Sequence, residues 1–337
     1  MKRPRFLPDN FVLALLGAIL LATFLPIHGT AGAVYNHVTL GAIALLFFLH
    51  GAKLSRRAMV TGASNWKLHL CVLASTFVLF PIIGVAAKPL LTSIMPADLY
   101  TGVLFLCLLP STVQSSIAFT SIARGNVSAA VCSASLSNVL GVLVTPLLAG
   151  LLIATHGKAG VSLSAIGHIV GEIVLPFVAG QLMRRRIGHW VAGHPRLVKC
   201  VDQGSIVLVV YGAFSASVVE GLWHQIPPVA LAVLVGVDVV LLAIVLAITF
   251  GVGRRFFERE DEIVLLFCGS KKSLASGIPI AKVLFATGSL GAVVLPLMLF
   301  HQIQLITCAV IARRYAASGA RREAALASSA ASRQMIR

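Results

Sequence analysis

Long apolar runs alternate with short, polar, mostly basic segments along the whole chain. Ten runs approach the ~20 residues a helix needs to cross the hydrocarbon of a bilayer: residues 11–27, 35–52, 68–87, 99–122, 127–153, 165–183, 203–220, 229–250, 261–285 and 290–312. Lipid offers backbone amides no partners, so each open run is expected to close its own hydrogen bonds as a helix. The pattern predicts an all-α polytopic membrane protein with ten transmembrane helices. Two of the ten carry an unusual interior. The fourth contains Leu109-Pro110-Ser111-Thr112-Val113-Gln114-Ser115-Ser116, and the ninth contains Phe267-Cys268-Gly269-Ser270-Lys271-Lys272-Ser273-Leu274-Ala275-Ser276-Gly277-Ile278-Pro279. Pro110 and Pro279 each remove a helical donor, and Gly269 and Gly277 weaken the ladder further, so neither span is expected to be a straight helix. Such breaks are tolerated at depth only where the freed groups are buried in protein or line a wet cavity.

Ten spans divide into five and five: residues 11–153 and 165–314. An odd number of spans per half sets the halves in opposite orientations, so two inverted five-helix repeats are expected, with broken helices four and nine in equivalent places. Alternate loops differ sharply in charge. One set holds Lys2, Arg3, Arg5, Lys53, Arg56, Arg57, Lys67, Arg124, Arg184–Arg186, Arg196, Lys199, Arg254, Arg255, Arg259, Arg313 and Arg314; the other holds only Lys88 and Lys158. The positive-inside rule then puts both termini, residues 1–10 and 315–337, in the cytoplasm. Phe11–Ile27 with Ala31-Gly32-Ala33 resembles a secretory signal peptide, but the five-plus-five division needs this helix, and it is expected to stay. The tail after Tyr315, rich in Ala, Ser and Arg, is expected to fray or be disordered.

Composition narrows the class. The chain has 337 residues, 58% hydrophobic and 11% charged, which excludes an ordinary soluble domain. The net charge of +16 lies in short loops between apolar spans, so it speaks for topology and not for nucleic acid. The six cysteines are scattered without metal-ligand spacing or a disulfide framework. No HExxH, P-loop or paired catalytic acids occur, and Ser64-Asn65-Trp66-Lys67 matches SxxK without its partner motifs, so no enzyme is expected.

The chemistry sits in the broken spans and the helices after them. A lysine at mid-helix costs roughly 2.5–3.5 kcal/mol on insertion scales, so Lys271 and Lys272, flanked by Ser270 and Ser273, are candidate solute contacts; the plainer alternative is snorkelling from a helix end. Thr112, Gln114, Ser115 and Ser116 offer oxygens beside a break, to a solute or a small cation, or else bond between helices. Asn138 could bind or pack. Ser128, Cys132 and Ser135 form a stripe suited to close packing. His301 and Gln304 share a helix face, and His301 could carry a proton or donate to an anion. Glu172 and Asp238 are the acids deepest in apolar runs, where an acid is functional by default. Asp261 and Glu262 are expected to cap the ninth helix, and Arg184–Lys199 to form a basic cytoplasmic loop against anionic lipid.

Phe47-Phe48-Leu49-His50-Gly51-Ala52-Lys53-Leu54-Ser55, Cys107–Ser116, Arg124-Gly125-Asn126 and Phe267–Leu274 together resemble the bile acid:sodium symporter superfamily, over about Phe6 to Tyr315. Within it the chain looks closest to the bacterial branch related to the orphan seventh member of solute carrier family ten. The resemblance implies a panel of spans one, two, six and seven and a core of the others, with spans four and nine crossing at the midplane, in the inner (plasma) membrane. It implies a secondary transporter of a small organic anion, with alternating access and a coupling cation, sodium or proton. The partners expected are that anion, the lipid bilayer and a second copy in a homo-oligomer; no cofactor is expected beyond Na+ as coupling ion. The sequence departs from the sodium-coupled pattern. Where those symporters have a glutamate that helps hold sodium, this chain has Lys271 and Lys272. Their serine–asparagine pair is approximated only by Gln114-Ser115-Ser116, the remaining candidates for sodium ligands. One lysine is therefore expected to replace a sodium ion while the other faces the crevice or snorkels, with transport sodium-independent or proton-linked. The competing function is a non-transporting membrane regulator or sensor of ion homeostasis on the same fold; a channel is the third.

Overall fold

The computed structural model describes residues 10–53, 65–153, 170–219, 227–285 and 290–335. Among them every regular element is helical: α1 (Asn10–Phe24), α2 (Gly29–Lys53), α3 (Trp66–Ala86), α4 (Lys88–Ile94), α5 (Ala97–Leu108), α6 (Gln114–Ile122), α7 (Val127–Leu152), α8 (Leu175–Gly193), α9 (Pro195–Val219), α10 (Pro228–Phe256), α11 (Arg259–Gly269), α12 (Leu274–Leu284) and α13 (Leu290–Met335). A π turn, Ser75–Leu79, interrupts α3, and another, Val170–Val174, leads into α8. Seven described helices, taking α11 and α12 as one span, are long and apolar enough to cross a membrane, and this is a multi-pass membrane protein. The remaining three runs of the sequence pattern fall short for visible reasons. The first gives a 15-residue helix, the fourth is divided into α5 and α6, and the sixth is described only from residue 170 and continues into Arg184–Arg186.

α2 packs along α8, and α1 and α2 pack on α9. The α2–α8 seam is a backbone-to-backbone contact. A Cβ on Gly51 would stand 2.1 Å from the Phe177 carbonyl oxygen, and one on Gly180 would stand 2.0 Å from that of Phe48. Tyr35 donates from its hydroxyl to the Leu208 carbonyl (2.8 Å), and Tyr211 to that of Leu25 (2.7 Å), tying α9 to α2 and to the end of α1. A second group gathers around Phe80, Phe105, Phe267 and Phe300, all fully buried, where α5 and α11 meet α3 and α13 packs on α5 and α12.

Four local expectations are corrected or refined. The Arg184–Lys199 stretch is helical through Gly193 and again from Pro195, because its basic residues sit on amphipathic turns that extend α8 and begin α9. Past Tyr315 the chain stays helical to Met335, as an alanine-rich sequence favours. The break in the ninth run falls at Ser270–Ser273, while Pro279 lies inside α12. Asp261 and Glu262 do stand in the first turn of α11, where the dipole favours acids, but their recorded hydrogen bonds run to side chains of other elements. The Asp261 carboxylate accepts from the side-chain amides of Asn65 and Asn126 (2.9 Å to the latter), and Glu262 accepts from the Tyr315 hydroxyl. The acids join the ends of several helices because amide and phenol donors approach from the starts of α3 and α7 and from α13. The Arg124-Gly125-Asn126 turn serves the same junction. Arg124 takes φ 62°, Gly125 leaves no room for a Cβ beside Ile263, and Asn126 both caps α7 through Ala129 and donates its backbone N–H to Glu260. Ser64 and residues 54–63, with their basic positions, lie outside the described residues.

Candidate functional site: two broken helices that cap each other

A helix that stops in the interior leaves its last carbonyls without intrahelical donors, and each buried orphan costs roughly 1–3 kcal/mol. α5 stops at Leu108 and α11 at Gly269, and the two stops face each other: Ser273 donates its backbone N–H to the Pro110 carbonyl at 2.8 Å. Each stop is satisfied largely by side chains from the other break. At the end of α11, Cys268 accepts from the Ser111 hydroxyl (2.6 Å) and Phe267 from that of Ser116 (3.0 Å). Gly269 accepts from Ser75 in the π turn of α3 (2.8 Å), and Leu266 from Ser270. At the end of α5, Leu108 accepts from Thr145 on α7 (2.8 Å). Cys107 and Leu109 both accept from the Lys272 ammonium, at 2.8 and 2.7 Å.

The third N–H of Lys272 goes to the Thr76 carbonyl at 2.8 Å, and the ammonium lies 4.1 Å from the Phe80 ring centroid. All three donors are thus used, at the negative end of the α5 dipole, where a cation is stabilised. Gln304 braces the backbone of the same residue, accepting from the Lys272 N–H (3.0 Å) and donating to its carbonyl (2.9 Å); its amide nitrogen also meets His301 Nδ1 at 2.9 Å. Lys271 differs. It too is 0% exposed, but its ammonium has no hydrogen-bond partner among the described residues. It lies 4.0 Å from the Phe119 centroid and 5.4 Å from that of Phe267, a cation–π setting. Neither lysine snorkels: both ammonium groups are buried, one against carbonyls and one against rings.

The other sequence candidates divide in the same way. Thr112 holds Ser115 (2.7 Å) and Ser116 (3.0 Å) through its hydroxyl, while Gln114, the first residue of α6, is exposed. Asn138 is half-buried and spans both breaks, donating to the Ser111 carbonyl (3.4 Å) and accepting from Ser276 (2.7 Å). Ser273 caps α12 by accepting from the Ser276 N–H, and Ser137 accepts from that of Ser111. Ser75, Ser111, Ser137, Thr145 and Ser276 were not singled out as site residues. A hydroxyl within a turn of a proline or glycine break would have been a usable signal for Ser111 and Ser276. Thr76 contributes only its backbone oxygen and could not be read from residue type. Cys132 is buried in α7, as a packing position requires. The Glu172 side chain lies outside the described residues.

A multi-pass helical protein whose two interrupted helices meet inside the protein, with charged groups at the meeting point, has the build of a membrane transporter. The chain belongs to the SBF-like CPA transporter family, whose profile matches residues 9–317. It is 58% identical over 317 residues to "Uncharacterized protein PA2026" of Pseudomonas aeruginosa, covering 94% of this chain and 95% of that one. It is 52% identical over 319 residues to "Putative symporter YfeH" of Escherichia coli (strain K12), with the same coverage. Similarity extends to "Sodium/bile acid cotransporter 7" of Xenopus tropicalis, 25% identical over 318 residues and 91% of each chain. The family resemblance carried by the sequence motifs is therefore correct, and the protein is not an enzyme but a member of a transporter family.

Proposed function

We propose that this protein is a secondary active transporter of a small organic anion, working by alternating access between a panel of α1, α2, α8 and α9 and a core of the remaining helices. The observation that carries the proposal is Lys271, a fully buried ammonium with no hydrogen-bond partner among the described residues, at the meeting of two broken helices. A fixed positive charge held without a counter-charge favours an anionic cargo, whose carboxylate or sulfonate would supply the missing acceptor. Lys272 has a different part. Three carbonyl oxygens around one ammonium form the kind of cage a small cation would otherwise fill, so Lys272 acts as a built-in cation and transport is sodium-independent or proton-linked. Ten spans in two inverted repeats, residues 11–153 and 165–314, support the motion. Exchange of the halves would turn the α2–α8 contact into the α1–α9 contact, and both are present. With both termini cytoplasmic, the basic segments all face the inner side of the plasma membrane.

Thermal unfolding of the purified protein with taurocholate, citrate and pyruvate, each in sodium and in potassium buffer, tests the proposal. A ligand bound only by the folded state adds stability, about 2.7 kcal/mol at a hundredfold excess over Kd. At least one anion should raise the midpoint equally in both buffers, and the same anion, radiolabelled, should accumulate in proteoliposomes. Stabilisation by cations and by no anion would overturn the anion site. Anion binding without flux would favour the sensor.

A further inference from the structure

We infer that Asp238 is a proton-binding site in the interior of the protein. α10 buries a stripe made of Ala230, Leu234, Asp238, Leu241, Leu242, Val245 and Thr249, the three-and-four spacing of one helix face. Asp238 stands in that stripe about 15 Å along the helix from Pro228. It is 0% exposed, and neither carboxyl oxygen has a hydrogen-bond partner among the described residues. Three other acids are placed differently: half-buried Asp261 accepts from Asn65 and Asn126, buried Glu262 from Tyr315, and buried Asp202 faces His50 at 3.6 Å.

A buried carboxylate with no donor around it needs a positive partner of its own. A proton meets that need with one covalent O–H bond and no further ligands, whereas a metal cation would require a shell of several oxygens. The step is balanced: Asp238 takes one proton from water, its carboxylate becomes a neutral carboxylic acid, and the same proton is later returned to water. The surroundings say where that change of charge is felt. α10 packs against α11, α13 and the π turn of α3. The π turn carries no titratable side chain; α11 carries Arg259, Glu260, Asp261, Cys268 and Glu262, the last of which lies at Gly253, and α13 carries His301, Cys308, Arg313, Arg314, Tyr315, Arg321, Arg322, Glu323 and Arg333. The π turn against which α10 packs supplies the Thr76 carbonyl that accepts from the Lys272 ammonium. Gain or loss of a proton at Asp238 therefore changes the charge on the helix packed against a turn that holds this ammonium.

This deepens the coupling part of the proposal above by naming the proton, but its test needs no solute, so the two can fail separately. Infrared spectra of the full chain in proteoliposomes, in H2O and D2O, from mildly acidic to mildly alkaline pH, should show a protonated-carboxyl C=O band. The band should shift in D2O, vanish reversibly as the pH rises, be missing in Asp238→Asn and return at a displaced frequency in Asp238→Glu. If Asp238→Asn does not fold, the displaced band of Asp238→Glu decides the assignment alone. Equal bands in wild type and variants, no such band in wild type, or an Asp238 band blind to both D2O and pH would each overturn the proposal. Removal of the band by sodium at constant pH would make the site a metal-cation site instead, which also overturns it.

Discussion

Two adjacent lysines with the same burial do different work, and the difference is one of donors. Lys272 spends its three N–H groups on Thr76, Cys107 and Leu109, whereas Lys271 spends none among the described residues. Lys272→Met should strand three carbonyls at roughly 1–3 kcal/mol each, lowering the thermal midpoint of the purified protein severely or preventing its recovery. Lys271→Met removes a buried charge without breaking a hydrogen bond, and such replacements are often neutral or stabilising. Its midpoint should stay at or above that of wild type, while any shift produced by an anion disappears. The reverse order in a melting experiment would exchange the two roles. Sequence alone could mark both lysines as out of place in a span, and helical geometry says that neighbours about 100° apart cannot share a job. It could not say which lysine would be held, because the holding groups are main-chain oxygens that any residue type would supply. The serines were legible for the same reason in reverse: hydroxyls crowd where carbonyls are left open, and Ser116 and Ser270 are found on such carbonyls.

Helices here approach each other as closely as their glycines allow. Gly51 and Gly180 rest on the Phe177 and Phe48 carbonyls, and Gly141 admits Pro110, whose Cβ would lie 2.5 Å from an added methyl. Gly51→Ala and Gly180→Ala should each separate α2 from α8, and overpacking of this kind costs typically about 1–3 kcal/mol. Gly41→Ala on the same α2 meets nothing within 4 Å and serves as the neutral control. A melting series in which all three variants match wild type would show that the seam is looser than these distances imply. The junction at Asp261 makes a second case. Asp261→Ala leaves Asn65 and Asn126 without their shared acceptor and should lower the midpoint by an amount comparable to one or two lost charge-assisted hydrogen bonds, roughly 1.5–3 kcal/mol each. The positions of the helices followed well from apolar runs, since length and hydropathy are properties of each run alone. The use of Asp261 did not, because an acid in a first turn looks like a dipole cap until the donors from α3 and α7 arrive beside it. Of the three expected breakers, Gly269 stands at the break, whereas Gly277 and Pro279 lie inside α12: a proline six residues into that helix is tolerated, while the break at Ser270–Ser273 is stabilised by partners that lie far away in sequence.

At the scale of the whole molecule the two broken spans act as one unit, because each completes the other's backbone. Ser111 and Ser116 reach across to α11, and Lys272 and Ser273 reach back to α5 and Pro110. Such reciprocal capping makes independent movement of either broken helix expensive, so a transport cycle is expected to carry the crossing as a rigid body against the α1, α2, α8 and α9 group. It also bears on the coupling ion. A bound sodium ion and a fixed ammonium a few ångströms apart would repel by several kcal/mol in a medium of low dielectric, and Lys272 already occupies three carbonyls at the crossing. Uptake of a transported anion by reconstituted wild-type protein should therefore be unchanged when sodium is replaced by potassium, and should respond to an imposed pH gradient. Lys272→Ala, supplied with sodium, is the complementary case. Removing the ammonium opens the cage, and any variant that still folds should gain stability from sodium that wild type does not show. A saturable sodium requirement in the wild-type protein would contradict this account directly, since it would mean that the cation and Lys272 coexist and that the sodium site lies elsewhere, with Gln114, Ser115 and Ser116 the next residues to test by substitution.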